Sequence, residues 1–334
     1  MTTTPPLAPP RTTGLTWRPL TVEDVPAWHG LVRAVEDFDD TAERNTPDDL
    51  VDALTDGSWK DPAADTVVAL DADGVPRAFG VVEVRPGDTR SVRAFCWGGV
   101  HPGWRGRGVG RELLRWQEER ARQKTAAARR DLPAFARVHT DEHVTAARRL
   151  LERAGFHAER WFVDMSRPLD GDHPVPEVSL DPDLRLVPLD AVDVEAVRLA
   201  HNEAFAGHWG SEPRSEEDWR RSVVGSRYLR ADWSFVVLDG EEVAGYTVAS
   251  AYEQDWEVQG YTCGWTDLLG VRPAWRRRGI APALLAASMR AFARSGMERA
   301  DLGVDTENGS GALALYTRLG YRPDRRGIAY TKEL

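Results

Sequence analysis

The sequence predicts an α/β protein built twice in one chain, each copy a mixed central sheet flanked by helices. Three observations carry that expectation. Strand-like runs alternate with helix-like runs, the order of elements that lays helices over a sheet. A basic glycine turn joins a strand to a helix over residues 268–285 (LLGVRPAWRRRGIAPALL), and a second such junction stands at residues 100–114 (VHPGWRGRGVGRELL). The copies keep nearly constant separations: 169 residues from Pro19 to Pro188, 171 from Arg105 to Arg276 and 165 from Gly155 to Gly320. Agreement across three separate elements marks a repeat.

At 334 residues the chain suits one large domain or two of ordinary size, and the repeat decides for two, each able to bury its own core. The expected division is a disordered tail over 1–13, an N-terminal domain over 14–169, a linker over 170–182 rich in proline and aspartate, and a C-terminal domain over 183–334. The N-terminal residues lack the charged start and apolar stretch of a signal peptide, and no apolar run approaches the ~20 residues of a membrane span. Two cysteines, Cys96 and Cys263, make no disulfide framework, and neither has zinc-ligand spacing. His139 and His143 bridge a strand end and a helix start, so no metal site is expected there. These features point to a cytoplasmic protein with neither metal nor membrane partner. A formal net charge of −10 excludes general affinity for nucleic acid, which depends on a basic surface.

The first copy opens with a short strand at 15–20 and a helix whose first turn is acidic, Glu23 and Asp24. Residues 37–60 are acidic and weakly patterned, a second helix with loops. Runs 66–70 and 78–84 flank Asp71-Ala72-Asp73-Gly74, a hairpin signal. The strand 91–100 enters the first glycine turn, and the helix after it covers about 107–122 with Leu113, Leu114 and Trp116 as apolar contacts. A strand at 134–140 leads to a helix ending at Ala154-Gly155, a favourable C-cap, and 161–165 closes the first domain. The second copy repeats the order: strand 184–190, helix 192–205, hairpin strands 234–240 and 242–248, strand 262–271, the turn and its helix, then strand 299–305.

Each glycine turn is built to receive a phosphate. A strand that feeds a helix N-terminus aims several free backbone N–H groups and the positive end of the helix dipole at one spot. Gly279 lets a ligand approach the backbone closely, and Arg276, Arg277 and Arg278 add charge. The spacing is that of neither a P-loop nor a dinucleotide-binding turn. It matches Arg/Gln-x-x-Gly-x-Gly/Ala, and here the sequence resembles the GNAT superfamily of N-acetyltransferases, in which this loop binds the pyrophosphate of acetyl-CoA. The resemblance implies acetyl-CoA as cosubstrate. It assigns Leu269, Gly270, Val271, Arg276, Arg277, Arg278, Gly279, Ile280 and Ala281 to its binding in the second copy, and Val100, Arg105, Gly106, Arg107, Gly108, Val109 and Gly110 in the first.

Asp305-Thr306-Glu307-Asn308, followed by a helix with Leu315-Tyr316 that ends at Leu319-Gly320-Tyr321, resembles the second GNAT signature. The resemblance gives Asn308 to acetyl-CoA and makes Tyr316 the general acid that protonates the departing thiolate; the alternative is a helix tyrosine packed in the core. An attacking amine is mostly protonated at neutral pH, so a base is needed as well. GNAT enzymes often carry that carboxylate on the strand before the glycine turn, where Asp267 is the acidic residue. Strand alternation puts Asp267 on the face of Trp265 and Leu269, and burial beside Trp265 would raise its pKa toward that of a base. The alternative is an aspartate bonded to nearby backbone or arginine, and Glu253, Asp255 and Glu257 stand just upstream as reserves. The repeat pairs Asp267 with Cys96, Tyr316 with Leu151 and Asn308 with His143. The C-terminal domain is therefore expected to be catalytic, while the N-terminal one binds acetyl-CoA or only supports the fold.

Two such domains with only the second equipped resemble the mycothiol synthase family, which acetylates the cysteinyl amine of a pseudodisaccharide. Met165-Ser166-Arg167-Pro168-Leu169 and the run 201–208 (HNEAFAGH) look like segments of that family. Its glutamate early on the strand before the turn is replaced here by Trp265, with Asp267 two residues on, which suggests a different amine or a base relayed by water. The function expected is acetyl-CoA-dependent acetylation of a primary amine of a small molecule, by direct attack, in a monomer or homodimer. Mycothiol synthesis proper, a non-catalytic acyl-CoA sensor and a protein-lysine acetyltransferase are the alternatives. Trp209, Trp219, Trp233, Trp256 and Trp265 either line the acceptor pocket or fill the core.

Overall fold

The computed structural model describes residues 7–57, 59–128, 131–307 and 311–334. The chain forms two compact units, Met1–Arg160 with Gly327–Leu334, and Trp161–Arg326. These units do not coincide with the linear division at 169 and 183.

The first unit runs β1 (Thr16–Arg18), α1 (Val25–Asp39), α2 (Pro47–Thr55), α3 (Pro62–Asp65), β2 (Thr66–Leu70), β3 (Pro76–Val84), β4 (Val92–Val100), α4 (Val109–Ala127), β5 (Ala134–Asp141) and α5 (Thr145–Arg153). The strand β6 (His157–Pro168) begins in this unit and continues into the second. The second unit runs on with β7 (Leu184–Pro188), α6 (Val194–Ala204), α7 (Glu216–Trp219), β8 (Phe235–Asp239), β9 (Glu242–Ser250), α8 (Glu253–Gln259), β10 (Cys263–Val271), α9 (Ile280–Arg294), β11 (Arg299–Asp305), α10 (Ala312–Arg318) and β12 (Arg322–Glu333). No helix among the described residues is long and apolar enough to cross a membrane.

The sheet of the first unit has the order β1-β2-β3-β4-β5-β12, antiparallel except where β4 meets β5. That of the second has the matching order β7-β8-β9-β10-β11-β6, parallel only between β10 and β11. The last strand in each order comes from the other end of the chain. Trp161–Met165, expected to close the first domain, pairs with β11 through Phe162↔Asp305 to Pro168↔Arg299, while Gly327–Glu333 pairs with β5. The physical reason lies in the repeat itself. Equivalent strands end the two copies, so each open edge accepts either, and pairing register is decided by contacts far apart in sequence.

Local signals place the elements well. The Asp71–Gly74 turn closes with Gly74 at φ +77° and hydrogen bonds between Asp71 and Val75. Gly155 and Gly320 end α5 and α10 at φ +86° and +92°, a conformation that costs glycine nothing. The sheet faces are set by apolar alternation. In the second unit Leu285, Met289 and Phe292 of α9 cover Ala300, Leu302 and Val304 of β11, while Val197, Ala200 and Trp219 cover Tyr246 and Val248 on the opposite face.

Candidate active site

In both units the parallel strand pair parts halfway. β10 and β11 pair from Cys263↔Arg299 to Thr266↔Leu302 and then diverge; β4 and β5 pair from Val92↔Ala134 to Phe95↔Arg137 and diverge likewise. Residues 267–271 and 96–100 thus have a strand neighbour on one side only, which leaves their backbone N–H and C=O groups on the other side available to a ligand. Each parted strand ends at its glycine turn.

In the second turn Arg277 and Gly279 both adopt left-handed backbone, at φ +65° and +75°, and α9 starts at Ile280. The first turn repeats this with Gly106 at +75° and Gly108 at +82° before α4. Both helices exceed three turns, so their N-terminal N–H groups present the positive dipole end to the turn. The turns therefore fit a phosphate-bearing cosubstrate through backbone.

Most of the turn arginines have protein partners of their own. Arg276 donates to the carbonyls of Val271 and Ala204, at 3.2 and 3.1 Å, and so ties the turn to the end of α6. Arg278 is committed to Asp181, at 2.8 Å, and Asp239, at 3.1 Å. Arg105 forms a two-pronged pair with Asp39, at 2.6 and 2.7 Å, and Arg107 lies over the Trp104 ring. Arg276, Arg277 and Arg107 are exposed, and none of the three has an ion pair among the described residues. Of the flanking residues, Leu269 and Val271 pack beneath Ile280 and Leu284 and fix the start of α9. Gly270 is required by packing, since a Cβ there would stand 2.4 Å from the Tyr246 ring. Ile280 is buried, Ala281 half-buried, and Val100, Val109 and Gly110 line the same junction in the first unit, where a Cβ on Gly110 would meet Leu150 at 3.3 Å. Asn308 lies outside the described residues.

Asp267 sits in a β-bulge. Opposite Ala249 and Val248 of β9, β10 places three residues, Thr266 to Leu268, so the register slips by one. The slip corrects the alternation argument: Leu268 packs with Val248 on one face and Leu269 with Ile280 on the other, so Asp267 does not share a face with Leu269. It turns instead toward Ser250, whose hydroxyl donates to Oδ2, and Tyr252, whose hydroxyl donates to Oδ1 at 2.9 Å. No ion pair reaches it among the described residues. Burial pushes its pKa up to about 6, against the pull of the two hydroxyls, and the residue as a whole is half-buried. A carboxylate held by neutral donors and poised near neutrality is equipped to take a proton.

Tyr316 lies on α10 with its ring in the core against Val304, Leu319 and Tyr321. Burial pushes its pKa up to about 12, so the hydroxyl keeps its proton at neutral pH and has no acceptor among the described residues. The ring is thus part of the core, as the packing reading expects. Of the reserve carboxylates, Glu253 pairs with Arg230, Asp255 is buried and Glu257 is exposed.

The first unit has none of this equipment. Cys96, equivalent to Asp267, is buried, and burial pushes its thiol up to about 12. Leu151 is buried, and His143 bonds the Asp39 carbonyl at 2.7 Å. Both cysteines are free, and no group of metal-ligating residues occurs among the described residues. Of the tryptophans, Trp219 and Trp233 are core, whereas Trp209, Trp256 and Trp265 are half-buried.

Sequence reasoning missed Ser250 and Tyr252, because only the β9–β10 register brings them to Asp267. It also missed the contact of His201, whose Nδ1 lies 2.5 Å from the Tyr246 hydroxyl and whose pKa burial pushes down to about 3.

Residues 31–156 and 194–321 each match the Acetyltransferase (GNAT) family, so the two matches cover most of the chain. A mycothiol acetyltransferase of Amycolatopsis mediterranei (strain U-32) is 29% identical over 233 residues, 69% of this chain and 73% of that protein. A mycothiol acetyltransferase of Thermobispora bispora is 30% identical over 224 residues, 66% of this chain and 70% of that one. Among solved structures, a GCN5-related N-acetyltransferase from Sphaerobacter thermophilus aligns over 96% of both chains with a TM-score of 0.74 and 24% identity. A tandem GNAT protein from the clavulanic acid biosynthesis pathway aligns over 96% of this chain and 98% of its own, with a TM-score of 0.67 and 20% identity. The parted strands, the paired glycine turns and these two family matches lead to one conclusion: the chain belongs to the GNAT family and is an N-acetyltransferase with two tandem GNAT domains.

Proposed function

We propose that this protein transfers the acetyl group of acetyl-CoA to the primary amine of a small molecule, by direct attack, in the second unit alone. The observation that carries the proposal is the Asp267 carboxyl, set in the bulge where β10 leaves β11, with two hydroxyl donors and no cation among the described residues. Acetyl-CoA supplies the thioester, its pyrophosphate held by backbone N–H groups from Gly279 onward. Asp267 takes the proton of the incoming ammonium and passes it to solvent, freeing the nitrogen lone pair. The nitrogen attacks the thioester carbonyl, Tyr316 gives its hydroxyl proton to the sulfur as the C–S bond breaks, and the proton that the nitrogen sheds on becoming an amide restores the Tyr316 hydroxyl. The first unit, with Cys96 and Leu151 at these places, has neither group and serves as a binding or supporting copy. A cytoplasmic location belongs to the same reading, in keeping with two free thiols.

A more specific reading, acetylation of the mycothiol precursor, is favoured by the relatives named for that activity. The displaced carboxylate, Asp267 two residues beyond Trp265, argues for a different acceptor. Thiol release across a panel of amines, with acetyl-CoA titrated by calorimetry, tests both. Asp267→Asn and Tyr316→Phe are each expected to lower kcat by roughly 100-fold or more with acetyl-CoA affinity retained. Full turnover in both variants would move catalysis elsewhere, and binding without turnover for any amine would make the protein an acyl-CoA sensor.

A further inference from the structure

A glycine inside a strand costs about 0.5–1 kcal/mol against alanine, so each one calls for a reason. In the strands of the second unit, three have a packing reason. A Cβ would stand 2.8 Å from Ile280 at Gly245, 2.3 Å from the Phe292 ring at Gly264 and 2.4 Å from the Tyr246 ring at Gly270. Gly303 has none. A Cβ there would lie 3.4 Å from Asp164 Oδ1 and 3.8 Å from Trp265 Cζ2, ordinary contact distances, and its φ is not left-handed. Yet Gly303 is exposed, although it lies within the sheet and pairs with Asp164 of β6. It follows Leu302, the last residue of β11 paired with β10, so the bare backbone begins where the strands part. In the first unit the same place, 165 residues earlier, holds Val138, paired with Tyr330. The copy with Asp267 and Tyr316 has an open floor where the copy without them has a valine.

We propose that Gly303 is the floor of the acceptor site and sets the size of the amine that is acetylated: a ring-sized amine bearing hydrogen-bond donors rests on it between the Trp265 indole and the Asp164 carboxylate. An indole gives ring carbons an apolar wall, and a carboxylate accepts from hydroxyl or ammonium groups. A short linear amine can be acetylated without resting on Gly303. The proposal rests on the amine-acetylating function assigned above to the second unit.

The test compares the full-length protein with Gly303→Ala and Gly303→Val, the second importing the residue of the first unit. Steady-state kinetics are measured with 2-aminoethanol, cyclohexylamine and glucosamine, acetyl-CoA affinity by calorimetry, and folding by thermal denaturation. Gly303→Val is expected to lower kcat/KM for the ring amines about tenfold or more, with 2-aminoethanol changed less than about threefold and acetyl-CoA affinity within about twofold. Gly303→Ala shows the same pattern at smaller amplitude and carries the test if the valine variant does not fold. Equal losses on all three amines, or a parallel loss of acetyl-CoA affinity, would overturn the proposal by placing Gly303 beneath the cosubstrate. Absence of amine-dependent thiol release in the unaltered protein removes the acceptor site itself, and that failure is seen before any variant is compared.

Discussion

Replacing Tyr252 by phenylalanine removes one of the two hydroxyls that donate to Asp267 and keeps the ring, which stands 4.8 Å from that of Tyr228. The hydrogen bond favours the charged carboxylate, so its loss raises the pKa. A bond of this kind to a charged group is worth about 1.5 kcal/mol at the low end, which is about one pKa unit. Asp267 acts as a base only when deprotonated, and its pKa is already raised to about 6. The acidic limb of the kcat/KM profile is therefore expected near pH 6 in the unaltered protein, and near ~7 in Tyr252→Phe. At pH ~6.5 the deprotonated fraction falls about threefold, while at pH ~8.5 the two proteins differ little. The assay is thiol release at subsaturating amine between pH ~5 and ~9, with an amine of constant charge over that range. Ser250→Ala is expected to move the limb in the same direction, through Oδ2. A limb that stays put or moves down, or a uniform loss at every pH, would refute the assignment of Asp267 as the base tuned by these hydroxyls.

Two further outcomes concern stability. Asp301, buried with Oδ1 lacking a hydrogen-bond partner among the described residues and Oδ2 accepting from Tyr261, has its pKa raised to about 6 by burial. A carboxyl whose folded pKa is raised favours folding below its unfolded pKa near ~3.9, and this contribution is lost as pH rises through the folded value. Asp301→Asn should therefore stabilise the protein by on the order of 1–3 kcal/mol at pH ~8 and little at pH ~4, read from denaturant unfolding at the two pH values; a pH-independent change would contradict this. Arg277→Gly places the residue of the first turn, Gly106, where the second turn holds an arginine at φ +65°. Relief of that conformation should stabilise by up to about 1 kcal/mol in chemical denaturation, and a loss of that size would mean that contacts of the arginine repay the strain.

Much of the scaffold was legible because it is local chemistry. The hairpin turns end on glycines, α5 and α10 stop at Gly155 and Gly320, and the helices after the two turns start at Val109 and Ile280, within a few residues of where patterning puts them. The site was legible in part. Asp267 and Tyr316 were singled out by a motif resemblance, and burial raises the pKa of each. The face of Asp267 was not legible, because one extra residue in β10 reverses the alternation, and a bulge exists only relative to β9.

By itself, then, the sequence determined what short-range forces determine: the repeat, the order of strands and helices, the αL glycines and a helix N-terminus at each turn. Tertiary structure decided whatever depends on which distant residues meet. It gave Ser250 and Tyr252 to Asp267, committed Arg278 to Asp181 and Asp239, exposed Gly303 and exchanged the closing strands between the units. The physical reason is that hydrogen-bond partners, burial and register are properties of pairs, and the chain brings these pairs together only when the sheets have formed.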